Sequence, residues 1–244
     1  MSQPATVSVR IPQVTIGGNV DRHYKEAWED LTADGAPFSW SNIEIRNHMT
    51  RVYDSAPANL IDIWSMSVAH GEKDYLVYGD ERISYGEAHL KVNCLASYLH
   101  GLGIRHGDRV AILMRNYPEW VLTYWAVASL GAVAVGMNAW WTGLEIEFAV
   151  DDCEPKAIVC DQERLEKLTP HLSTLRSEGN IHVLAVRTKA DLPDDAVHWE
   201  DAISNGDELP DVSKVSIEPD DDVRVFYTSG TTGHPKGAVL THRG

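Results

Sequence analysis

Between Tyr75 and Val186, short apolar runs alternate with amphipathic stretches that carry their own start and stop signals, and this rhythm restricts the chain to an α/β architecture. YLVYG (75–79) and RIS (82–84) read as short strands around a Gly-Asp-Glu turn. Ser84 and Glu87 then stand at capping-box spacing, which satisfies free N–H groups at a helix start. The helix that follows is expected to bury Ala88, Val92, Leu95, Leu99 and Leu102, and to end at Gly101 and Gly103. RVAILM (109–114), AVAVGM (132–137), KAIVC (156–160) and IHVLAV (181–186) read as buried strands. Between them Pro118 opens a helix that ends near Gly131. Thr142 and Glu145 form a second capping box ahead of a helix to about Cys153, and Gln162 to Arg176 reads as one further helix. LEIEFAV (144–150) also alternates with period two, and the cap before it decides for helix. Together these elements predict a layered αβ unit with a largely parallel sheet.

The flanks are plainer. Residues 1–56 read as an irregular, polar N-terminal extension with scattered Trp28 and Trp40. Asn59 to His70 places Leu60, Ile63, Trp64 and Val68 on one helical face. Residues 187 to 222 are crowded with acids, among them Asp191, Asp194, Asp195, Asp207, Glu208, Asp211 and Glu218, and read as a solvated connection rather than a metal site. VRVFYT (223–228) and GAVLTH (237–242) read as strands on either side of a loop. The expected divisions are therefore an extension over 1–56, a first αβ subdomain over 57–210 whose opening helix packs on the second, and the start of that second subdomain over 211–244.

Charge and cysteine content narrow the function. The 244 residues hold 21 Lys and Arg against 36 Asp and Glu, a net charge of -15. Such a surface repels a phosphate backbone, so general nucleic-acid binding is not expected. Any polyanion site must gather positive potential locally. Cys94, Cys153 and Cys160 show no metal-site spacing and read as free thiols of a reducing, cytoplasmic compartment. The N-terminus lacks an apolar core of signal-peptide length. Trp120 to Leu144 is uncharged and long enough for a bilayer, but Gly131, Gly136 and Asn138 interrupt it and no basic cluster flanks it. A buried helix running into a buried strand explains the same letters.

The chemistry concentrates in Thr228 to Gly237. Gly230, Gly233 and Gly237 let backbone N–H groups converge on an anion. Thr228, Ser229, Thr231 and Thr232 add hydroxyl donors, Pro235 stiffens the chain, and Lys236 supplies one mobile cation. That is a polyphosphate-binding composition. It departs from the Walker loop, because Gly230 and Gly233 are too close and Lys236 is followed by Gly237 and a strand rather than a helix. A dinucleotide fingerprint is absent from the segment.

The ordered string YTSGTTGHPKG resembles the phosphate-loop signature of the adenylate-forming superfamily, which includes acyl- and aryl-CoA synthetases, peptide-synthetase adenylation domains and luciferases. Residues 83–139 and the acidic lead-in EPDDDVRVFYTSGTTG resemble the stretch that precedes this loop in those enzymes, and the likeness runs over about residues 57–244. It implies an α/β fold, the front part of the large N-terminal domain, and AMP-forming ligation of a carboxylic acid. The cosubstrates implied are ATP with Mg2+, then coenzyme A. It also implies that Thr228, Ser229, Gly230, Thr231, Thr232, Gly233 and Lys236 hold the β- and γ-phosphates, while His234 occupies a variable, solvent-facing position. The family's acidic magnesium ligand, adenine and ribose contacts, acyl pocket and C-terminal catalytic lysine have no counterpart in these residues, so this stretch alone is expected to be inactive. The long N-terminal lead and the run Asn138 to Trp141 lean toward acyl-CoA synthetases, with a fatty acid as first expectation and an aryl acid as second. Trp140 and Trp141 read as core or interface residues. No integral membrane span is expected, and peripheral membrane contact is compatible with a fatty substrate. A carrier protein as acyl acceptor, or a non-catalytic nucleotide-binding piece, are the competing readings.

Overall fold

The computed structural model describes residues 20–178, 181–189, 191–194, 196–204, 215–228 and 235–243. The chain divides into two compact units, residues 1–56 and 57–244. In the first, helix α1 (Val20–Thr32) precedes an antiparallel hairpin of β1 (Trp40–Ile45) and β2 (His48–Tyr53). Arg46 and Asn47 make its turn with φ of 48° and 65°, the double left-handed geometry of a tight hairpin. The Arg51 guanidinium lies 3.8 Å over the Trp40 ring. This order corrects the expectation of an irregular extension.

The second unit opens with α2 (Leu60–Ser67), capped by Asn59, whose side-chain oxygen accepts from the Ile61 and Asp62 amides. The expected face is partly wrong. Trp64 is buried, but Ile63 and Val68 are exposed, and Leu60 and Ile61 are the residues that join Trp64 on the core. A 3-10 turn at Val68–His70 ends the helix early and rotates Val68 away. The hairpin of β3 (Asp74–Tyr78) and β4 (Glu81–Ser84) follows. Then come α3 (Tyr85–Gly101), β5 (Arg109–Leu113), α4 (Pro118–Ser129), β6 (Val133–Gly136), α5 (Gly143–Cys153) and β7 (Ala157–Asp161). Both capping boxes form, at Ser84/Glu87 and Thr142/Glu145. The single helix expected over 162–176 is broken into α6 (Gln162–Leu168), a 3-10 turn at Thr169–His171 and α7 (Leu172–Glu178). Pro170 lacks the N–H that would continue the helical ladder.

The remaining elements are β8 (His182–Val186), β9 (Ala196–His198), α8 (Trp199–Ser204), β10 (Asp222–Thr228) and β11 (Lys236–Thr241). β9 and α8 lie within the stretch read as a solvated connection; Trp199 and Ala202 are buried there, so that segment is partly core. Asp195, Asp207, Glu208 and Asp211 fall outside the described residues.

Among the described residues, seven strands form one sheet in the order β11-β10-β6-β5-β7-β8-β9. Six are parallel, and β11 returns antiparallel to β10. The two strands around the loop thus add to the same sheet as the rest. Strand side chains alternate between two cores. Val110, Ile112, Ala134, Val159 and Leu184 meet α3, α4 and α8 on one face. Ala111, Leu113, Val135, Ile158, Cys160 and Val183 meet α5, α6 and α7 on the other. Each fully buried Leu such as Leu95 or Leu99 contributes about 1.5–3 kcal/mol relative to exposure. The uncharged Trp120–Leu144 stretch resolves into α4, β6 and the start of α5. No helix among the described residues is long and apolar enough to cross a membrane.

Candidate functional site

In parallel sheets ligands gather where the strands end, because loops and helix starts converge there. The register places Leu113 of β5, Gly136 of β6, Asp161 of β7, Val186 of β8 and Thr228 of β10 toward this one edge. The candidate loop leaves β10 after Thr228 and returns at Lys236. These two residues face each other in the ladder, and the Thr228 hydroxyl donates to the Lys236 carbonyl at 3.4 Å. Both residues are exposed and stand opposite each other at the two ends of the loop. Ser229, Gly230, Thr231, Thr232, Gly233 and His234 lie outside the described residues. Gly237 serves a different purpose from loop flexibility. It sits inside β11, where a Cβ would come 2.8 Å from Val225 Cγ1, so its missing side chain lets the two strands pack closely.

The base of the loop is anchored by residues that pattern reading missed. Tyr227 donates its hydroxyl to Asp152 at 2.6 Å and to the Ala149 carbonyl at 3.3 Å, tying β10 to the C-terminal turn of α5. Burial, reinforced by the Asp152 bond, raises the Tyr227 pKa, so the group remains a donor. Burial likewise pushes the neighbouring Cys153 thiol up to about 12, which keeps it unreactive at neutral pH. The acidic lead-in is structural. Asp221 accepts from the Glu218 amide and pairs with His106 Nε2, both at 2.8 Å, and Asp220 pairs with Arg243 at 2.8 Å. Burial opposes ionisation of Asp221, but the His106 and Glu218 hydrogen bonds win and lower its pKa.

His242, just past β11, is 6% exposed. Its backbone N–H donates to the Asp221 carbonyl, and its Nδ1 accepts from the Leu60 amide at 3.2 Å. The proton therefore sits on Nε2, which has no partner among the described residues. Asn59 Nδ2 donates to the Ile217 carbonyl at 3.3 Å. The start of α2 is thus pinned to both ends of the β10–β11 hairpin.

Beside the loop, one and two strands along the edge, an open cavity of ≈ 510 Å³ is lined by Tyr78, Arg115, Asn116, Tyr117, Ala139 and Trp140. Arg115 lies 4.3 Å over the Trp140 ring, and Asn138 Oδ1 accepts from the Trp140 amide at 2.9 Å. Trp140 is 69% exposed while Trp141 is 7% exposed, so only the second is a core residue. Asp161 organises the floor. It accepts from the Arg115 amide at 2.9 Å, caps α6 at the Arg164 amide, and pairs with the Arg164 guanidinium at 3.2 Å. Arg164 Nε in turn donates to the Ala139 carbonyl at 2.7 Å. Arg187, after β8, donates to Glu119 and Glu81. Arg115, Trp140 and Arg187 share one sequence signal: each follows a buried strand by a few residues. Among the described residues no three His, Cys, Asp or Glu side chains converge to hold a metal ion.

Comparison with known proteins identifies the family. The family described as "AMP-binding enzyme" matches residues 65–244. The 4-coumarate–CoA ligase 2 of Oryza sativa is 34% identical over 166 residues, 66% of this chain and 29% of that protein. The long-chain-fatty-acid–CoA ligase FadD13 of Mycobacterium tuberculosis is 34% identical over 167 residues, 67% of this chain and 30% of that protein. Among solved structures, the anthranilate CoA ligase AuaEII in complex with anthranoyl-AMP superposes with a TM-score of 0.69 at 25% identity, covering 77% of this chain and 36% of that one. The chain spans about three-tenths of the length of the curated relatives it matches. The family match covers more than half of the chain, and the chain belongs to the AMP-binding enzyme family, the adenylate-forming enzymes.

Proposed function

We propose that this region supplies the ATP-phosphate grip of an AMP-forming ligase that joins a carboxylic acid to coenzyme A through an acyl-adenylate. The observation that carries the reading is the string YTSGTTGHPKG, with Thr228 and Lys236 placed opposite each other at the strand-end edge of the sheet. In such a reaction the acid's carboxylate oxygen attacks the α-phosphorus of ATP and pyrophosphate leaves. Carboxylates are weak nucleophiles and the ground state sets like charges together, so the help required is electrostatic. Converging amides and hydroxyls of Thr228 to Gly233 would hold the β- and γ-phosphates, and Lys236 would offset charge on the departing pyrophosphate. Magnesium arrives with ATP in this chemistry, screening phosphate charge, and no protein ligand for it is assigned from the described residues.

The acid is proposed as a fatty acid, with an aryl acid as the second reading. Both kinds stand among the relatives, as a long-chain-fatty-acid–CoA ligase and a 4-coumarate–CoA ligase. Coenzyme A is proposed as acceptor, in preference to a carrier protein, because those relatives are named as CoA ligases. A cytoplasmic setting fits the three free thiols. Acid-dependent ATP–pyrophosphate exchange tests the reading. A protein that carries this region within the full length of its relatives should exchange with a fatty or aryl acid and then acylate free CoA. Residues 1–244 alone, at three-tenths of that length, should show no exchange. Exchange by the 244-residue chain, or acylation of a carrier protein but not of CoA, would contradict it.

A further inference from the structure

Arg187 stands out among the strand-end residues. It follows β8 with φ of 53°, a left-handed backbone that side chains other than glycine adopt only when something compensates. That turn throws the guanidinium back across the edge of the sheet. Nε donates to both oxygens of Glu119, at 2.9 and 3.0 Å, in the first turn of α4. Nη1 and Nη2 form a parallel fork to Glu81, at 2.8 and 2.6 Å, beside the turn of the β3–β4 hairpin. The same guanidinium lies 5.0 Å from the rings of Tyr78 and Tyr117, which meet edge-on at 5.5 Å. Glu119 is nearly buried, with 11% of its side chain exposed, whereas Glu81 is half exposed at 50%. One end of the bridge is therefore fixed in the body of the fold. The other end holds a surface hairpin.

Tyr78, on that hairpin, and Tyr117, at the start of α4, both line the ≈ 510 Å³ cavity beside the candidate loop. They also line a smaller one of ≈ 210 Å³ with Leu76, Pro118 and Trp120. Among the described residues the hairpin has no partner in the main sheet, and β3 and β4 pair with each other. The charged fork joins the hairpin tip to the residue after β8, and the edge-on contact of Tyr78 with Tyr117 lies beside it. We propose that Arg187 is a positioning residue that locks the β3–β4 hairpin over the strand ends, so that Tyr78 forms a fixed wall of the cavity rather than a swinging one. A carboxylate fork on a surface hairpin suits this task, because planar bidentate geometry fixes orientation as well as distance. The inference concerns a wall of the site assigned under the proposed function, but the lock exists whether or not that reading holds.

Amide hydrogen exchange on the 244-residue chain tests it. Glu81→Gln, at a half-exposed position, cannot unfold the core and should raise exchange at residues 74–84 several-fold. Arg187→Ala should raise it by about ten-fold or more, as expected when a local opening loses its main restraint. Protection in β5, β6 and β7 should stay as in the parent. Millimolar guanidinium, with urea as uncharged control, should restore hairpin protection in Arg187→Ala, and Arg187→Lys should restore part of it. Hairpin exchange within two-fold of the parent in both Glu81→Gln and Arg187→Ala would overturn the proposal. So would a rise spread equally over β5–β7, or equal effects of guanidinium and urea. Since no ligand enters the measurement, its failure is separate from failure of acid-dependent exchange.

Discussion

Asp161 shows how much one residue can carry at the edge of a parallel sheet. It ends β7, caps α6, accepts from the Arg115 amide and faces the guanidinium of Arg164, whose side chain is 1% exposed. The two oxygens thus satisfy three groups on two residues, Arg115 and Arg164. Removing one partner of a buried pair leaves the other charge without compensation, which costs more than the pair itself is worth. Asp161→Ala should therefore lower unfolding stability in urea by about 3 kcal/mol, with the half-exposed Glu163 softening the loss through its own bond to Arg164. Asp161→Asn, which keeps one acceptor oxygen and so can hold one of the two amides, should cost less. An Asp161→Ala midpoint equal to the parent's would show that Glu163 alone sustains Arg164.

At the scale of elements, the sheet holds its neighbours at distances that depend on absent side chains. A Cβ on Gly136 would come 2.8 Å from the ring of Phe226, which stacks parallel to Trp120 at 6.4 Å. Gly136→Ala should overpack the β6–β10 contact and destabilise the fold by about 1–3 kcal/mol, read from denaturant unfolding. A smaller loss would mean that the Phe226 ring, 38% exposed, swings clear. The central strands were legible in the sequence because burial on both faces leaves continuous apolar runs such as RVAIL and AIVC, and because Ser84/Glu87 and Thr142/Glu145 mark helix starts locally. The β1–β2 hairpin was not, since its turn is Arg46–Asn47 rather than a glycine pair and its strands are mostly exposed, which removes the alternating signal. β9 and α8 were hidden by their acidic surroundings, although Trp199 and Ala202 are core. The loop itself was readable as a string. Its supports were not, because Tyr227 reaches back 75 residues to Asp152 and His242 reaches back 182 to Leu60.

For the whole molecule, that last contact links the end of β11 to the start of α2 and makes stability depend on pH. Burial lowers the pKa of His242; Asp221 opposes the shift and His106 adds to it. The unfolded chain, with histidine near pH 6.5, then binds protons at His242 before the folded chain does. Stability from this residue is complete above about pH 6.5 and falls as pH drops through and below that value, levelling once the folded imidazole is also protonated. Protonation at Nδ1 would also break the Leu60 bond. Burial lowers His89 in the same direction, so the parent's pH slope includes both residues. His242→Asn should unfold more easily at pH 7.5 and show a shallower loss toward pH 5.5; an unchanged slope would remove His242 from the account. The central claim, that Thr228 to Lys236 grips the phosphates of ATP, is tested most directly by phosphorus NMR of ATP titrated with the 244-residue protein. The β and γ resonances should broaden and shift more than the α resonance, and Lys236→Ala should weaken the effect by about ten-fold or more, the worth of one charge-assisted hydrogen bond. Equal perturbation of all three phosphates, or an effect unchanged by Lys236→Ala, would contradict it.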